Sequence, residues 1–155
     1  MMMMVWKFFS IGAIVMMSLL DAQAFAAGSD DYAPAAAKPA AYNKALVLIK
    51  DKNYVNAIVK LKEAEAAAKK DADIQNLLGF SHRKLNKLDD AAKYYESALV
   101  LDPKHKGALE YQGELFLMLN DKASAEKNLQ KLDKICWLGC SELDELRTAI
   151  RNYKP

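Results

Sequence analysis

A recurrence of about 34 residues limits what this chain can fold into more than any other feature of it. Gly79 is matched by Gly113, Asn86 by Asn120 and Ala91 by Ala125; one step upstream, Ala57 matches Ala91, Leu61 matches Tyr95 and Ala64 matches Ala98. A fixed period in this range marks a repeat array, in which each unit buries against its neighbour an apolar face that it cannot bury alone. The clearest unit lies in the stretch from Asp71 to Pro103, which reads as two amphipathic helices joined by a tight turn.

Apolar residues at helical spacing extend that reading to both sides. In the first unit, Tyr42, Ala45, Leu46, Leu48 and Ile49 share a helix, Asn53 and Tyr54 make the turn, and Val55 to Lys69 carries Ile58, Leu61, Ala64 and Ala68 on one side. The second unit runs from Ala72 to Leu85, turns through Asn86 and Lys87, and restarts with Asp89 as N-cap. Asn tolerates the left-handed backbone such a turn needs, and Pro103 stops the second helix because the residue before proline disfavours helical geometry. A third unit pairs Lys106–Leu119 with Lys122–Ile135. Gly79 and Gly113 fall inside helices, where each costs about 1 kcal/mol relative to Ala, so close approach of the two helices of one repeat is the expected compensation at both. A last amphipathic helix, 141–153, has Leu143, Leu146 and Ile150 as its stripe and Ser141 as its cap. With only 6 Gly and 4 Pro in 155 residues, the composition suits an all-α chain.

The second unit resembles a tetratricopeptide repeat (TPR) through Leu78-Gly79, Ala91, Tyr95, Ala98 and Pro103. The third keeps Gly113, Phe116 and Ala125 but has Leu132 where a small residue is usual; the first has Lys44-Ala45 in place of Leu-Gly. The resemblance implies an all-α, right-handed TPR superhelix of three helix-turn-helix repeats (38–71, 72–105 and 106–139) closed by a C-terminal capping helix at 141–153. It also implies a concave inner wall made from the first helix of each pair. The tail further resembles that of small exported TPR proteins of Gram-negative bacteria.

Residues 1–26 have the layout of a secretory signal peptide: Lys7, an apolar run from Phe8 to Leu20, then small residues at Ala22, Ala24 and Ala26. The run is shorter than the roughly 20 residues that span a bilayer. Export to the periplasm with cleavage near Ala26 is expected; cleavage after Ala24 and an uncleaved anchor are the other readings. Residues 27–41 offer no apolar stripe and read as a flexible linker, with Pro39 in the first turn of the first helix.

The near-balanced net charge of +2 argues against the clustered cations of a nucleic-acid binder. No GxSxG, HExxH or glycine-rich phosphate loop is present, so the expectation is no enzyme, no cofactor and no metal. Asp89-Asp90 reads as helix capping, and His82 as a core position. Cys136 and Cys140 have the wrong spacing for a thioredoxin-like or haem motif. In an exported chain they read as a structural disulfide contributing about 1–3 kcal/mol, with redox or metal chemistry as the alternative.

By the family pattern, the groove receives Tyr42, Leu46, Ile49 and Lys50 from the first unit. The second gives Asp73, Asn76, Phe80, Arg83 and Lys84, and the third Glu110, Glu114, Leu117 and Met118. Such a wall suits an extended or helical peptide with apolar anchors, Phe80 foremost. The competing reading has Leu46, Leu117 and Met118 packing between helices. The Lys/Asn/Arg clamp with which some TPR proteins hold acidic chaperone tails is absent, its places being taken by Tyr42, Leu46, Leu77, Gly107 and Tyr111. The expected function is therefore a periplasmic interaction adaptor for a protein or peptide partner, with no nucleic acid and no membrane after cleavage. Self-association through the open face of the first unit is a third reading.

Overall fold

The structure, a computed structural model, describes residues 37–155. The leader assigned to 1–26 and residues 27–36 of the linker lie outside the described residues. Among the described residues there are seven α-helices and no strand. They are α1 (Ala40–Lys50), α2 (Tyr54–Ala67), α3 (Ala72–Lys84), α4 (Leu88–Leu101), α5 (Lys106–Met118), α6 (Lys122–Ile135) and α7 (Ser141–Asn152). They pair as α1/α2, α3/α4 and α5/α6; α2 packs on α3, α4 on α5, and α7 on both α5 and α6. The array is an all-α helical-repeat superhelix, and none of the described helices is long and apolar enough to cross a membrane.

The turn inside each pair is built alike. Lys52, Asn86 and Asn120, spaced by the repeat, take φ of 57°, 59° and 62°. At each, the next residue donates its N–H back across the turn: Asn53 to Leu48, Lys87 to His82, and Asp121 to Phe116, at 2.8, 3.0 and 2.8 Å. This is the Schellman arrangement, which uses carbonyls that the helix end leaves unpaired. The residue after the left-handed one then serves as N-cap of the second helix. Asn53 accepts from the Asn56 N–H and Asp121 from the Ser124 N–H. Each connection is three residues long, near the short end of what joins two helices in a hairpin.

Several local expectations are corrected. The first turn is Asp51-Lys52 rather than Asn53-Tyr54, because α2 already starts at Tyr54. It ends at Ala67, short of Lys69. Asp89 is not an N-cap: Lys87 holds that position without a side-chain bond, and Asp89 and Asp90 sit in the first turn, where their charge meets the positive end of the helix dipole. Cys140, not Ser141, precedes α7, and the Ser141 hydroxyl bonds the Glu142 carboxylate at 3.2 Å. Pro39 is the N-cap of α1, one place earlier than expected, and α1 opens at Ala40 inside the stretch assigned to linker.

Three buried clusters follow the chain. Ala45, Leu61, Ala64, Ile74 and Leu78 join the first two pairs; Ala91, Tyr95 and Leu115 join the second and third. Leu109, Leu132, Cys136, Leu143 and Leu146 join the third pair to α7. The two helical glycines face different neighbours. A Cβ on Gly79 would stand 2.7 Å from the Tyr95 ring of α4, the partner helix within its own pair. A Cβ on Gly113 would stand 2.6 Å from Leu146 of α7, so this glycine serves the next helix along the array. Helix α7 thus occupies the place that the first helix of a fourth unit would take. Cys136 and Cys140 lie at disulfide-bonding distance, with Cα atoms 5.6 Å apart, and Gly139 between them takes φ of 87°.

Candidate functional site

The first helices α1, α3 and α5 present the residues expected in the groove, and their side chains divide sharply in what they can offer. At the centre is Arg83, only 9% exposed. Its guanidinium pairs with Glu114 at 2.6 Å, its Nε donates to the Tyr95 hydroxyl at 3.3 Å, and its Cζ stands 5.7 Å from the Phe80 ring and 5.5 Å from the Tyr111 ring. Burial by itself would lower the Arg83 pKa; Tyr95 and Glu114 reverse that, and the charge is kept. Phe80 packs at a tilt against Tyr111 at 4.9 Å and meets Tyr54 edge-on at 6.1 Å, with the Lys84 ammonium 5.5 Å from its ring. The half-buried Phe80 is therefore held rigidly by aromatic and cationic neighbours, which lowers the entropy a docking partner must overcome.

The other expected residues fall into three groups. Lys50, Lys84, Leu46 and Met118 are exposed. Tyr42 and Ile49 are half-buried against the first core cluster, and Leu117 is buried. Asp73 is held by Lys38 at 2.7 Å and by His105 Nε2 at 2.9 Å, contacts that pull its pKa below the usual range against the effect of partial burial. Since His105 Nδ1 accepts from the Ala108 N–H at 3.1 Å, Nε2 carries the proton donated to Asp73. That chain of contacts ties the starts of α1, α3 and α5 together. Asn76, 6% exposed, stands against Gly107, and its Oδ1 has no hydrogen-bond partner. His82 is buried against the Tyr94 ring at 5.1 Å, and burial lowers its pKa.

Glu110 lies under α7 and is 3% exposed. Burial first, then Glu145, Glu114 and Glu142, push its pKa up from 4.5 to about 9. It is a neutral packing group at ordinary pH rather than an acidic wall residue.

One part of the wall was not expected from the sequence. Helix α7 lines the inner surface together with α5. A cavity of about 580 Å³ is bounded by Glu114, Ser141, Asp144, Glu145, Thr148, Ala149 and Asn152. A second, of about 420 Å³, adjoins it through Glu114 and Ala149 and adds Arg83, Leu117, Met118 and Tyr153. The spacing Ser141, Asp144, Thr148 places these residues on one face of α7, and they continue the repeat register of Gly107, Glu110 and Glu114. That register was the available signal; the mostly polar outer side of α7 pointed to a cap instead. Among the described residues, no group of three or more His, Cys, Asp or Glu could hold a metal ion.

Comparison with known proteins agrees with the fold. Residues 72–105 match the tetratricopeptide repeat family. No curated protein sequence matches the chain. Among solved structures, the first TPR of Spaghetti (RPAP3) bound to an HSP90 peptide is 17% identical with a TM-score of 0.64, covering 72% of this chain and 88% of that one. SycD of Yersinia enterocolitica in complex with a peptide of the translocator YopD is 20% identical with a TM-score of 0.63, covering 73% and 86%. MamA from Desulfovibrio magneticus RS-1 is 27% identical with a TM-score of 0.60; the alignment covers 65% of this chain and 57% of the MamA chain.

Proposed function

Because residues 72–105 are a tetratricopeptide repeat set in an array with the fold of TPR proteins, we propose that this chain is a non-enzymatic adaptor that holds a peptide or protein segment in its concave groove. The observation that carries the reading is the fixed cluster of Phe80, Arg83, Tyr111 and Glu114 beside two adjoining cavities on the inner wall. Aromatic and arginine side chains, rigid and partly desolvated, are the residue types that dominate binding energy at interfaces. Two proteins of the same fold hold peptides, one from HSP90 and one from YopD, which supports a peptide-binding use of such a scaffold. Export to the periplasm belongs to the same proposal and rests on the leader pattern at 1–26.

The test is co-purification from a periplasmic fraction, comparing the native chain with Phe80→Ala/Lys84→Glu. Lys84 is exposed, so its reversal changes the groove without removing a buried charge, as changing Arg83 would. A partner recovered with the native chain and lost with the variant, at unchanged helicity by circular dichroism, is the expected result. Equal recovery by both would end the groove reading. N-terminal sequencing of the recovered chain, expected to begin near Ala27, tests export separately.

A further inference from the structure

We infer that the loop between α6 and α7 docks on an anionic lipid surface, with Trp137 and Leu138 entering the headgroup region and Lys131 and Lys134 lying against its phosphates. Trp137 and Leu138 are 79% and 80% exposed, the highest values among the large apolar side chains of the described residues. Single apolar residues scattered over a surface are ordinary; these two are adjacent and anchored. Cys136 is buried in the third core cluster, Cys140 packs against that cluster, and the two sulfurs lie at bonding distance. The Gly139 N–H donates to the Cys136 carbonyl at 2.7 Å, and the φ of 87° at Gly139 closes the turn. The apolar tip therefore projects from a short, fixed loop that has little chain entropy to lose on docking.

The charge beside the tip decides what it meets. Lys127, Lys131 and Lys134 recur at helical spacing and line one cavity of about 460 Å³ beside Phe116 and Asn128, so they share a face of α6. Both carboxylates of α6 are matched by other cations, Glu126 by Lys122 at 3.6 Å and Asp133 by Arg147 at 3.5 Å, and among the described residues no ion pair includes the three lysines. Lys131 and Lys134 fall in the last five residues of α6, about 6 Å of helix, which is less than the ~10 Å over which 0.1 M salt screens a charge. An exposed tryptophan next to unmatched lysines suits anionic lipid: the ring is buried at the interface, the indole N–H bonds at headgroup level, and each cation adds attraction. A protein pocket fits less well. One tryptophan brings about 150–250 Å² of contact, far below the ~800 Å² that each side of a specific protein interface supplies. The cysteines flanking the tip turn into the core and add nothing to it. Trp137 and Leu138 line neither cavity of the inner wall, so this contact is independent of the groove reading, and being peripheral it needs no spanning helix.

Tryptophan emission of the full chain carrying Trp6→Phe tests the contact, because Trp137 is then its only tryptophan whether or not the leader is removed. Vesicles of equimolar phosphatidylglycerol and phosphatidylcholine should move the emission to shorter wavelength and shield it from acrylamide, and rising salt should weaken the partition. Vesicles of phosphatidylcholine alone should act far more weakly. Leu138→Ser in this chain should lower the partition about tenfold, through loss of one apolar side chain. Lys131→Gln/Lys134→Gln should lower it about thirtyfold on the anionic vesicles, equivalent to about 2 kcal/mol, and leave phosphatidylcholine unaffected. All three residues are exposed, a thermal melt checks that the fold is kept, and every variant shares the same leader, so differences belong to the tip. Emission unmoved by anionic vesicles overturns the proposal, as does equal partition on the two vesicle types or a shift that survives Lys131→Gln/Lys134→Gln. Emission that ignores vesicles and moves only with a periplasmic extract overturns it in favour of a protein pocket.

Discussion

At the scale of single residues, the repeat places unusual demands on a few positions. Gly79 gives the Tyr95 ring its space, and that ring is fully buried with its hydroxyl on Arg83. Gly79→Ala gains about 1 kcal/mol of helix propensity but drives a methyl into a ring that cannot move aside, at about 1–3 kcal/mol. The expected outcome is a lower melting temperature, with a smaller fall for Gly113→Ala, whose contact is the flexible end of Leu146. Lys52 behaves in the opposite sense. It holds φ of 57° at an exposed turn where its equivalents are asparagines. Lys52→Gly relieves that backbone and should stabilise the fold by about 0.5–1 kcal/mol in chemical denaturation. Glu110 makes stability depend on pH. Between about pH 4.5 and 9 the folded chain keeps a proton that the unfolded chain has lost, so stability falls as pH rises through that window. Glu110→Gln, which stays neutral, should flatten the slope between pH 5 and 8 and be the more stable form at pH 8.

At the scale of elements, α7 carries more than closure. Leu146 is fully buried, and Leu143 lies with it against Leu109 and Leu132. Leu146→Ala should cost about 2–4 kcal/mol and, by loosening α7 on α5, weaken peptide binding beyond what the stability loss explains. The pair Cys136 and Cys140 sits where α6 hands over to α7. A bridge there limits how α7 can swing from α6, and its short loop removes little unfolded-chain entropy. Reduction, or Cys136→Ser/Cys140→Ser, should therefore lower stability by about 1–3 kcal/mol without unfolding the first two pairs. Mass spectrometry of the purified chain distinguishes a bridged staple from a free or readily exchanging thiol pair, the outcome a redox role would need.

At the scale of the whole molecule, the two ends of the array are unlike. The last helix shows solvent charged and polar residues such as Asp144, Arg147 and Thr148, whereas the first pair exposes Val47, Val55 and Val59 by more than half. One repeat further on, the positions of Val55 and Val59 hold Asp89 and Lys93. If this edge pairs two copies head to head, sedimentation should show a concentration-dependent dimer that Val47→Glu/Val59→Glu abolishes; a monomer throughout leaves the groove as the interaction surface. Much of this architecture was legible in the chain itself. The 34-residue recurrence, the apolar spacing within each helix and the asparagines at 86 and 120 are local or periodic signals, and they set the helix content, pairing and turns. What neighbouring helices do to one another was not legible. Arg83 and Glu110 look equally charged and available in sequence, yet one is locked into an aromatic cluster and the other is buried and neutral. The polar pattern of α7 announced a cap, and only the register of Ser141, Asp144 and Thr148 with Gly107, Glu110 and Glu114 hinted that its inner side completes a trough with Glu114. Helical periodicity says which side of a helix turns inward; only the packing of α7 on α5 determines which charges share a cavity, because their interaction depends on distance and burial across elements rather than on spacing along the chain.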